Sequence, residues 1–241
     1  MKIIPLKEGN YVVSSGKEFR LLNEFPSESG LKMAIQPFLI ITQNDYILLD
    51  LGLGFHKNRK PLLYDLLESH AILPKQITKI LISHLHKDHI DGIGYFDDKG
   101  DFIQNFPNAV IYMQKRELDY ALTQQQSPSY NFDVLHQLEL LPNIEMLKDD
   151  NGEITNGIFY EVSAGHSSFH QVFLIKEGNE IAFYGADDLP QEAYLKLHVA
   201  YKTDYDGKRA MDSRKKWEQE AKVEHWKVLL YHDMEMPVLE F

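Results

Sequence analysis

Residues 83–92 read SHLHKDHIDG, and within them His84, His86, Asp88 and His89 form the pattern H-x-H-x-D-H. Imidazole nitrogens and carboxylate oxygens at this spacing suggest metal ligation, because imidazole suits zinc, iron and nickel and a carboxylate is an acceptable partner. Side chains two apart on an extended segment point the same way, so His84 and His86 can grip one ion. Asp88 and His89 lie where the preceding strand has ended, and a turn can aim them elsewhere. One short segment can thus serve two cations about 3.5–4 Å apart, the usual two-metal spacing. Two such ions sharing a water lower its pKa from about 15.7 toward neutrality, which supplies a nucleophile at pH 7. The chemistry indicated is hydrolysis. A solvated polar loop after a strand is the bland alternative, and it leaves this run of ligand types unexplained.

Elements must hold that segment in place. Residues 78–83 (TKILIS) predict a short buried strand directly before it. Residues 36–42 (QPFLIIT) and 45–50 (DYILLD) read as a hairpin turning at Gln43-Asn44. Apolar spacing predicts a helix over 61–70 with Pro61 in its first turn. Residues 109–113 predict a strand, followed by a helix near 114–122. In the second half, residues 158–163, 170–176 and 180–184 predict three strands, with Glu177-Gly178-Asn179 turning between the last two. Residues 207–224 read as a charged helix and 226–231 as a final strand. This order suggests an α/β fold of two packed sheets with helices outside. No Pro/Gly/Ser-rich linker interrupts it, so residues 1–241 are expected to form one domain.

Composition narrows the partners. The 241 residues carry 25 Lys+Arg against 36 Asp+Glu, a formal net charge of −11. That sign repels phosphate backbones and anionic bilayers at long range, and no basic stripe of the kind nucleic-acid readers use stands out. A small-molecule substrate is expected, with neither nucleic acid nor membrane as partner. There is no cysteine, which excludes disulfides, thiolate nucleophiles and Cys-ligated metals. Any metal must be held by His, Asp and Glu. The start, MKIIPLKEGN, has an apolar run too short for a signal peptide, and no stretch nears the ~20 apolar residues of a membrane span. A cytoplasmic protein is expected. Apolar and aromatic residues in 20–40 and 194–205 suit either a pocket or a homodimer interface.

The histidine segment resembles the signature of the metallo-β-lactamase superfamily, and four further matches occur in order. Asp50 ends a strand in ILLDLGLG, His166 lies in SAGHSSFHQ, FYGADDLP offers Asp187 or Asp188, and His232 follows a strand in LLYHDM. The resemblance spans residues 36–233 approximately and implies a four-layered αβ/βα sandwich. It implies that His84, His86 and His166 hold one divalent ion, that Asp88, His89 and His232 hold a second, and that Asp187 bridges them. Asp187 is preferred to Asp188 because it precedes Leu189-Pro190 as the family's bridging residue does. Zn2+ is the expected ion, with Fe and Mn as alternatives. Asp88 and Asp187 are the implied catalytic carboxylates, holding a hydroxide between the ions. Asp50 would accept a hydrogen bond from a ligand histidine and fix its tautomer.

Within the superfamily, GHSSFHQ is similar to the GHxxGHQ of N-acyl-homoserine lactonases and organophosphate hydrolases, with Phe169 in place of the Gly. The ending YHDME is similar to the lactonases' Gly-His-Asp. Those lactonases place a Tyr three residues after the bridging Asp, where this chain has Pro190, and Tyr194 is the candidate to replace it from the next turn. The implied reaction is hydrolysis of a small ester, lactone or phosphoester. An iron-dependent oxidoreductase (dioxygenase-like) on the same scaffold and a nuclease-type phosphodiesterase are the alternatives. The complete second ligand set weighs against the first, and the acidic charge against the second. His56, His70, His136 and His225 match no ligand position, and His170 reads as structural. His198, among Tyr194, Tyr201 and Tyr205, is a candidate for the substrate pocket.

Overall fold

A computed structural model describes residues 1–241. The chain opens with β1 (Lys2–Pro5). Then β2 (Gly9–Val13), β3 (Phe19–Leu21) and β4 (Leu31–Ile35) pair as a small antiparallel sheet in the order β3-β2-β4. The expected hairpin follows as β5 (Phe38–Ile41) and β6 (Tyr46–Leu49). A ribbon of β7 (His56–Lys57) and β8 (Lys60–Pro61) leads into α1 (Leu62–Ser69), which Pro61 precedes as its cap residue. Next come β9 (Lys79–Leu81), the single-turn helix α2 (Lys87–Ile90), and a second ribbon of β10 (Gly94–Phe96) and β11 (Phe102–Gln104). The first half ends with β12 (Val110–Gln114), α3 (Lys115–Thr123), α4 (Phe132–Leu138) and β13 (Ile144–Leu147). Its six-stranded sheet runs β1-β5-β6-β9-β12-β13, antiparallel up to β6 and parallel beyond it.

The second half begins with β14 (Asn151–Thr155), β15 (Ile158–Val162), β16 (Gln171–Glu177) and β17 (Glu180–Tyr184), a consecutive antiparallel run. After α5 (Ala193–Leu197) and the long α6 (Gly207–Glu224), β18 (Lys227–Leu229) joins parallel to β17, and β19 (Val238–Glu240) closes the edge. These six strands form the second sheet in sequence order.

Side-chain alternation stacks the layers. Phe38, Ile40, Ile47, Leu49 and Leu81 face inward and meet Tyr160, Phe173, Ile175, Tyr184 and Leu229 of the other sheet. Their neighbours Leu39, Leu48, Ile80 and Ile111 face outward and pack on Leu63, Leu67, Leu118 and Leu135 from α1, α3 and α4. On the far side, Val172, Phe183 and Val228 pack on Leu195, Trp217 and Ala221 from α5 and α6. Both faces of each central strand are therefore buried, which is why those strands read as continuous apolar runs. The four layers are the αβ/βα sandwich expected. No helix is long and apolar enough to cross a membrane.

Some of the architecture departs from expectation. β1 to β4, α4, β13 and β14 were not predicted, and β18 is not the last strand, since β19 pairs with it. These are short elements with mixed exposure, which carry little periodic signal.

Candidate metal centre

The histidine segment emerges from the carboxyl end of β9. Its residues are extended up to His86, whose backbone (φ −66°, ψ 147°) precedes the first turn of α2. That change of direction gives Asp88 and His89 to a second ligand group, with the His89 ring still 4.2 Å from that of His84. Asp50 follows β6, the parallel neighbour of β9. His166 lies in the loop between β15 and β16, Asp187 in a turn after β17, and His232 three residues beyond β18. All five segments open at one edge of the sandwich, between the two sheets. Strand ends are where open α/β sheets commonly gather their ligands.

Outward hydrogen bonds fix most of the rings. Asp50 is wholly buried; Oδ1 accepts from the Ser83 amide at 2.8 Å, and Oδ2 accepts from Ser83 Oγ at 2.6 Å, His89 Nδ1 at 2.7 Å and the Tyr184 hydroxyl at 2.5 Å. His89 Nδ1 must therefore carry the proton. Ser83 spends its own proton on Asp50, so its oxygen accepts from His84 Nδ1 at 3.0 Å. His166 Nδ1 donates to Asp204 Oδ1 at 2.9 Å, and His232 Nδ1 to the Ala34 carbonyl at 2.8 Å. Each of these four imidazoles is left with a bare Nε2 turned inward. Such outer partners are what orient metal-ligating histidines.

The inward atoms crowd one another. His84 Nε2 lies 3.0 Å from His86 Nδ1, and His166 Nε2 lies 3.2 Å from the same atom. Asp187 reaches His166 Nε2 at 3.2 Å through Oδ2, and His89 Nε2 at 3.2 Å and His232 Nε2 at 2.9 Å through Oδ1. Asp88 Oδ2 lies 3.7 Å from His89 Nε2 and 3.6 Å from His232 Nε2. His89 Nε2 and Asp187 Oδ1 are buried with no hydrogen-bond partner. Acceptors crowded in this way call for a cation. Ligand atoms about 2.0–2.1 Å from one ion at tetrahedral angles stand roughly 3.3 Å apart, close to the separations seen. Two compact groups result, His84, His86, His166 and Asp187 in one and Asp88, His89 and His232 in the other, each spanning no more than 4.8 Å. The residues present fit two divalent cations.

Electrostatics agrees. Burial and the neighbouring imidazoles hold His84 and His86 well below the ordinary histidine value, so both are neutral and able to ligate. Burial would raise Asp187, but His232, His89 and His166 pull it well below the carboxylate range. Burial would likewise lower His89, yet Asp187, Asp88 and Asp50 raise it well above its ordinary value. Without a metal, a proton takes the place beside Asp187.

The remaining expectations sort by position. Asp187 faces both groups. Asp188 turns away, accepting the His166 amide at 2.6 Å through Oδ1. His170 is fully buried behind His84 and bonded to Ser163 Oγ at 2.9 Å. His198 is exposed at the end of α5 and does not line the cleft over the ligands. Tyr194 packs in the outer core of the second sheet, with its ring 5.5 Å from that of Tyr201. Tyr201, not Tyr194, lines the cleft. Pro190 ends the turn that carries Asp187, so the chain re-enters a helix only at α5 and aims Tyr194 at α6. Sequence reasoning missed Asp204 and Ser83. Asp204 lies in a loop far along the chain with no local pattern, whereas Ser83 sits beside His84 and was within reach.

A family model described as the metallo-beta-lactamase superfamily matches residues 35–232. No curated protein matches the chain significantly. Among solved structures, a probable metal-dependent hydrolase from Staphylococcus aureus superposes with a TM-score of 0.81 at 19% identity, covering 99% of this chain and 91% of that one. AbOPH, a hydrolase in the beta lactamase superfamily, gives 0.75 at 21% identity, covering 99% and 89%. AidC, a dizinc quorum-quenching lactonase in complex with a product, N-hexanoyl-L-homoserine, gives 0.73 at 23% identity, covering 98% and 88%. At such identities the likeness speaks for the fold.

Proposed function

This chain belongs to the metallo-β-lactamase superfamily, and from that premise we propose that it is a dinuclear metal-dependent hydrolase of a small ester, lactone or phosphoester. The observation that carries the reading is the position of Asp187, which lies within 3.2 Å of imidazoles from both ligand groups. His84, His86 and His166 would hold one cation, Asp88, His89 and His232 the other, and Asp187 both. Zinc is the assigned ion, in keeping with the His/Asp donor set. Bound there, two divalent cations supply Lewis acidity toward a carbonyl or phosphoryl oxygen and acidify water from a pKa of about 15.7 toward neutrality.

The chain's own groups do the rest. Asp88 and Asp187 offer acceptor-only oxygens to the cleft, so both can orient an attacking water, and Asp88 can take its proton. Tyr201 lines the same cleft, and its buried hydroxyl has no hydrogen-bond partner, so its proton is free to meet negative charge developing on the substrate. Directly over the ligands the cleft has room for only about 30 Å³, which suits a small reacting group and little bulk water. The lactone option draws on the likeness to AidC, and the phosphoester option on the Lewis acidity that two such cations would show toward a phosphoryl oxygen.

The test is metal content per chain by elemental mass spectrometry, wild type beside Asp187→Ala, followed by hydrolysis of lactone, ester and phosphotriester panels. Two equivalents falling in the variant, with turnover of one panel, are expected. A single iron unaffected by the substitution would overturn the dinuclear reading and favour redox chemistry.

A further inference from the structure

Two lysines stand at the mouth of the ligand cluster. Lys17, in the turn between β2 and β3, and Lys87, the first residue of α2, both line the cleft that reaches His86, Asp187 and His232. Some lysines of this chain reach carboxylates, as Lys60 reaches Glu68 at 2.6 Å and Lys227 reaches Glu180 at 2.5 Å. Lys17 and Lys87 do not. Lys87 Nζ lies instead 5.9 Å from the centre of the Phe19 ring, close enough to Asp91 to lower that carboxyl but not paired with it. Lys17 holds a left-handed backbone, φ +58°, directly after Gly16, which would adopt it more readily. A strained non-glycine residue at the rim of a site invites a functional account.

The cleft has two unlike sides. Val13, Phe19, Leu31 and Met33 form an apolar wall. On the other side the cleft widens into a cavity of ≈ 320 Å³ edged by Tyr120, Gln124, Ser127 and Tyr205. Lys17, Ser129 and Thr203 line both parts. The wider cavity has hydroxyls, an amide and an ammonium in its wall and no carboxylate, in a chain with 36 Asp+Glu. The overall charge of −11 would disfavour an anion at long range. Salt screens that field beyond about 8–10 Å, so the local groups decide what is held inside.

We propose that the substrate carries a carboxylate or phosphate group, which sits in the hydroxyl-lined cavity against Lys17 while its scissile ester reaches the ligand cluster. The proposal rests on the hydrolase reading above and narrows it to anionic esters. Hydrolysis consumes one water: the bond from the acyl or phosphoryl centre to the leaving oxygen breaks, the water oxygen joins that centre, and a proton passes to the leaving oxygen. The anionic group takes no part in bond making. Lys17 is the specificity residue that holds it.

The test uses the zinc-loaded full chain, with Lys17→Met and Lys17→Glu beside wild type, each checked for metal content. Turnover of 4-nitrophenyl hemisuccinate is compared with that of neutral 4-nitrophenyl butyrate, and binding of succinate, inorganic phosphate and neutral succinamide is followed by calorimetry. Wild type should favour the anionic ester through KM, and Lys17→Met should cut that preference about tenfold, the size of one charge-assisted hydrogen bond. Lys17→Glu should reverse it. Tighter binding of succinate than phosphate would assign a carboxylate, and the converse a phosphate. Equal use of both esters, unmoved by the substitutions, would overturn the inference and leave the hydrolase standing. If protein with two metal equivalents cleaves neither ester, the choice of ester class falls, and calorimetry decides the cavity alone. Anion binding weakened in Lys17→Met supports the proposal, and no binding overturns it.

Discussion

His89 donates its Nδ1 proton to Asp50 Oδ2 across 2.7 Å, and neither side chain is exposed to solvent. Asp50 itself is held at φ +55° directly after β6, a left-handed conformation that aspartate and asparagine adopt more readily than other non-glycine residues. The backbone strain is tolerated because four donors converge on the one carboxylate. Asp50→Asn keeps the shape and turns an acceptor into a donor facing one of them. The ring of His89 then loses its fixed orientation, and affinity for the cation held by Asp88, His89 and His232 should fall about 10–100-fold, the usual cost of removing such a support. Chelator competition followed by elemental mass spectrometry should show one equivalent lost well before the other. Unchanged affinity for both ions would remove this role from Asp50.

Acid should stabilise the metal-stripped protein and not the metal-loaded one. Burial opposes charge on His89 and His166, but the surrounding carboxylates outweigh it and raise both groups. Stability from such raised groups is fully present below the unfolded histidine value of about 6.5 and is lost as pH rises through the folded values. Glu8, pushed by burial up to about 8, and Asp91, pushed to about 7, lose stability in the same direction. Asp187, depressed by its imidazole neighbours, contributes above about pH 3.8 and ceases to only as pH falls through its lowered value. The metal-stripped protein should therefore melt at lower temperature as pH rises from about 6 to about 8.5. Cations require deprotonated ligands, so the loaded protein should not follow. Differential scanning calorimetry of both forms should show a Tm gap that widens with pH, and a gap that narrows would contradict this charge arrangement.

Arg214 is 1% exposed in the middle of α6 and bonds backbone rather than a carboxylate. Nε donates to the Asp188 carbonyl at 2.6 Å, Nη1 donates to the Val199 carbonyl, and the guanidinium lies 5.0 Å from the centre of the Tyr194 ring. It thereby ties the turn that carries Asp187 to the loop leading to Asp204. Arg214→Met relieves a buried charge but strands two carbonyls, at about 1–3 kcal/mol each, and leaves Asp188 and Asp204 without a nearby cation. The stranded groups should win, lowering Tm by about 10 °C at roughly 2–4 °C per kcal/mol for a chain of this size. Arg214→Lys should recover little, because one ammonium cannot span both carbonyls. A Tm within error of wild type for the Met variant would show that this tie is dispensable.

The ligands were legible because chemistry and local structure coincide there. His84, His86, Asp88 and His89 are read as one segment after a strand, and Asp50, Asp187 and His232 each sit just past a strand end marked by an apolar run. The choice between Asp187 and Asp188 was less legible. Two adjacent carboxylates in a turn point in opposite directions, and only the turn geometry sends one to the imidazoles and the other to the His166 amide. Asp204 was invisible because its partner His166 is 38 residues away and the loop between them has no period. Lys17 was hidden for a similar reason: β2, β3 and β4 are short and half exposed, so nothing in the sequence placed their turn over the ligands.

Tyr201 and Tyr194 divide roles that the sequence had assigned to Tyr194 alone. Tyr201 lines the cleft with His86, Asp187 and His232, while Tyr194 stands behind it against Arg214. If Tyr201 supplies a proton to negative charge developing on the substrate, Tyr201→Phe removes one donor aimed at the transition state. Such losses lower kcat by about 10²–10³, with KM and metal content little changed, because the ring and its packing remain. Tyr194→Phe should cost far less, since its hydroxyl reaches the cleft only through its neighbour. The two variants should be compared on whichever ester wild type turns over fastest, with metal content measured on the same samples. A larger kcat loss for Tyr194→Phe than for Tyr201→Phe would return the donor role to Tyr194 and require the loop after Asp187 to rearrange when substrate binds.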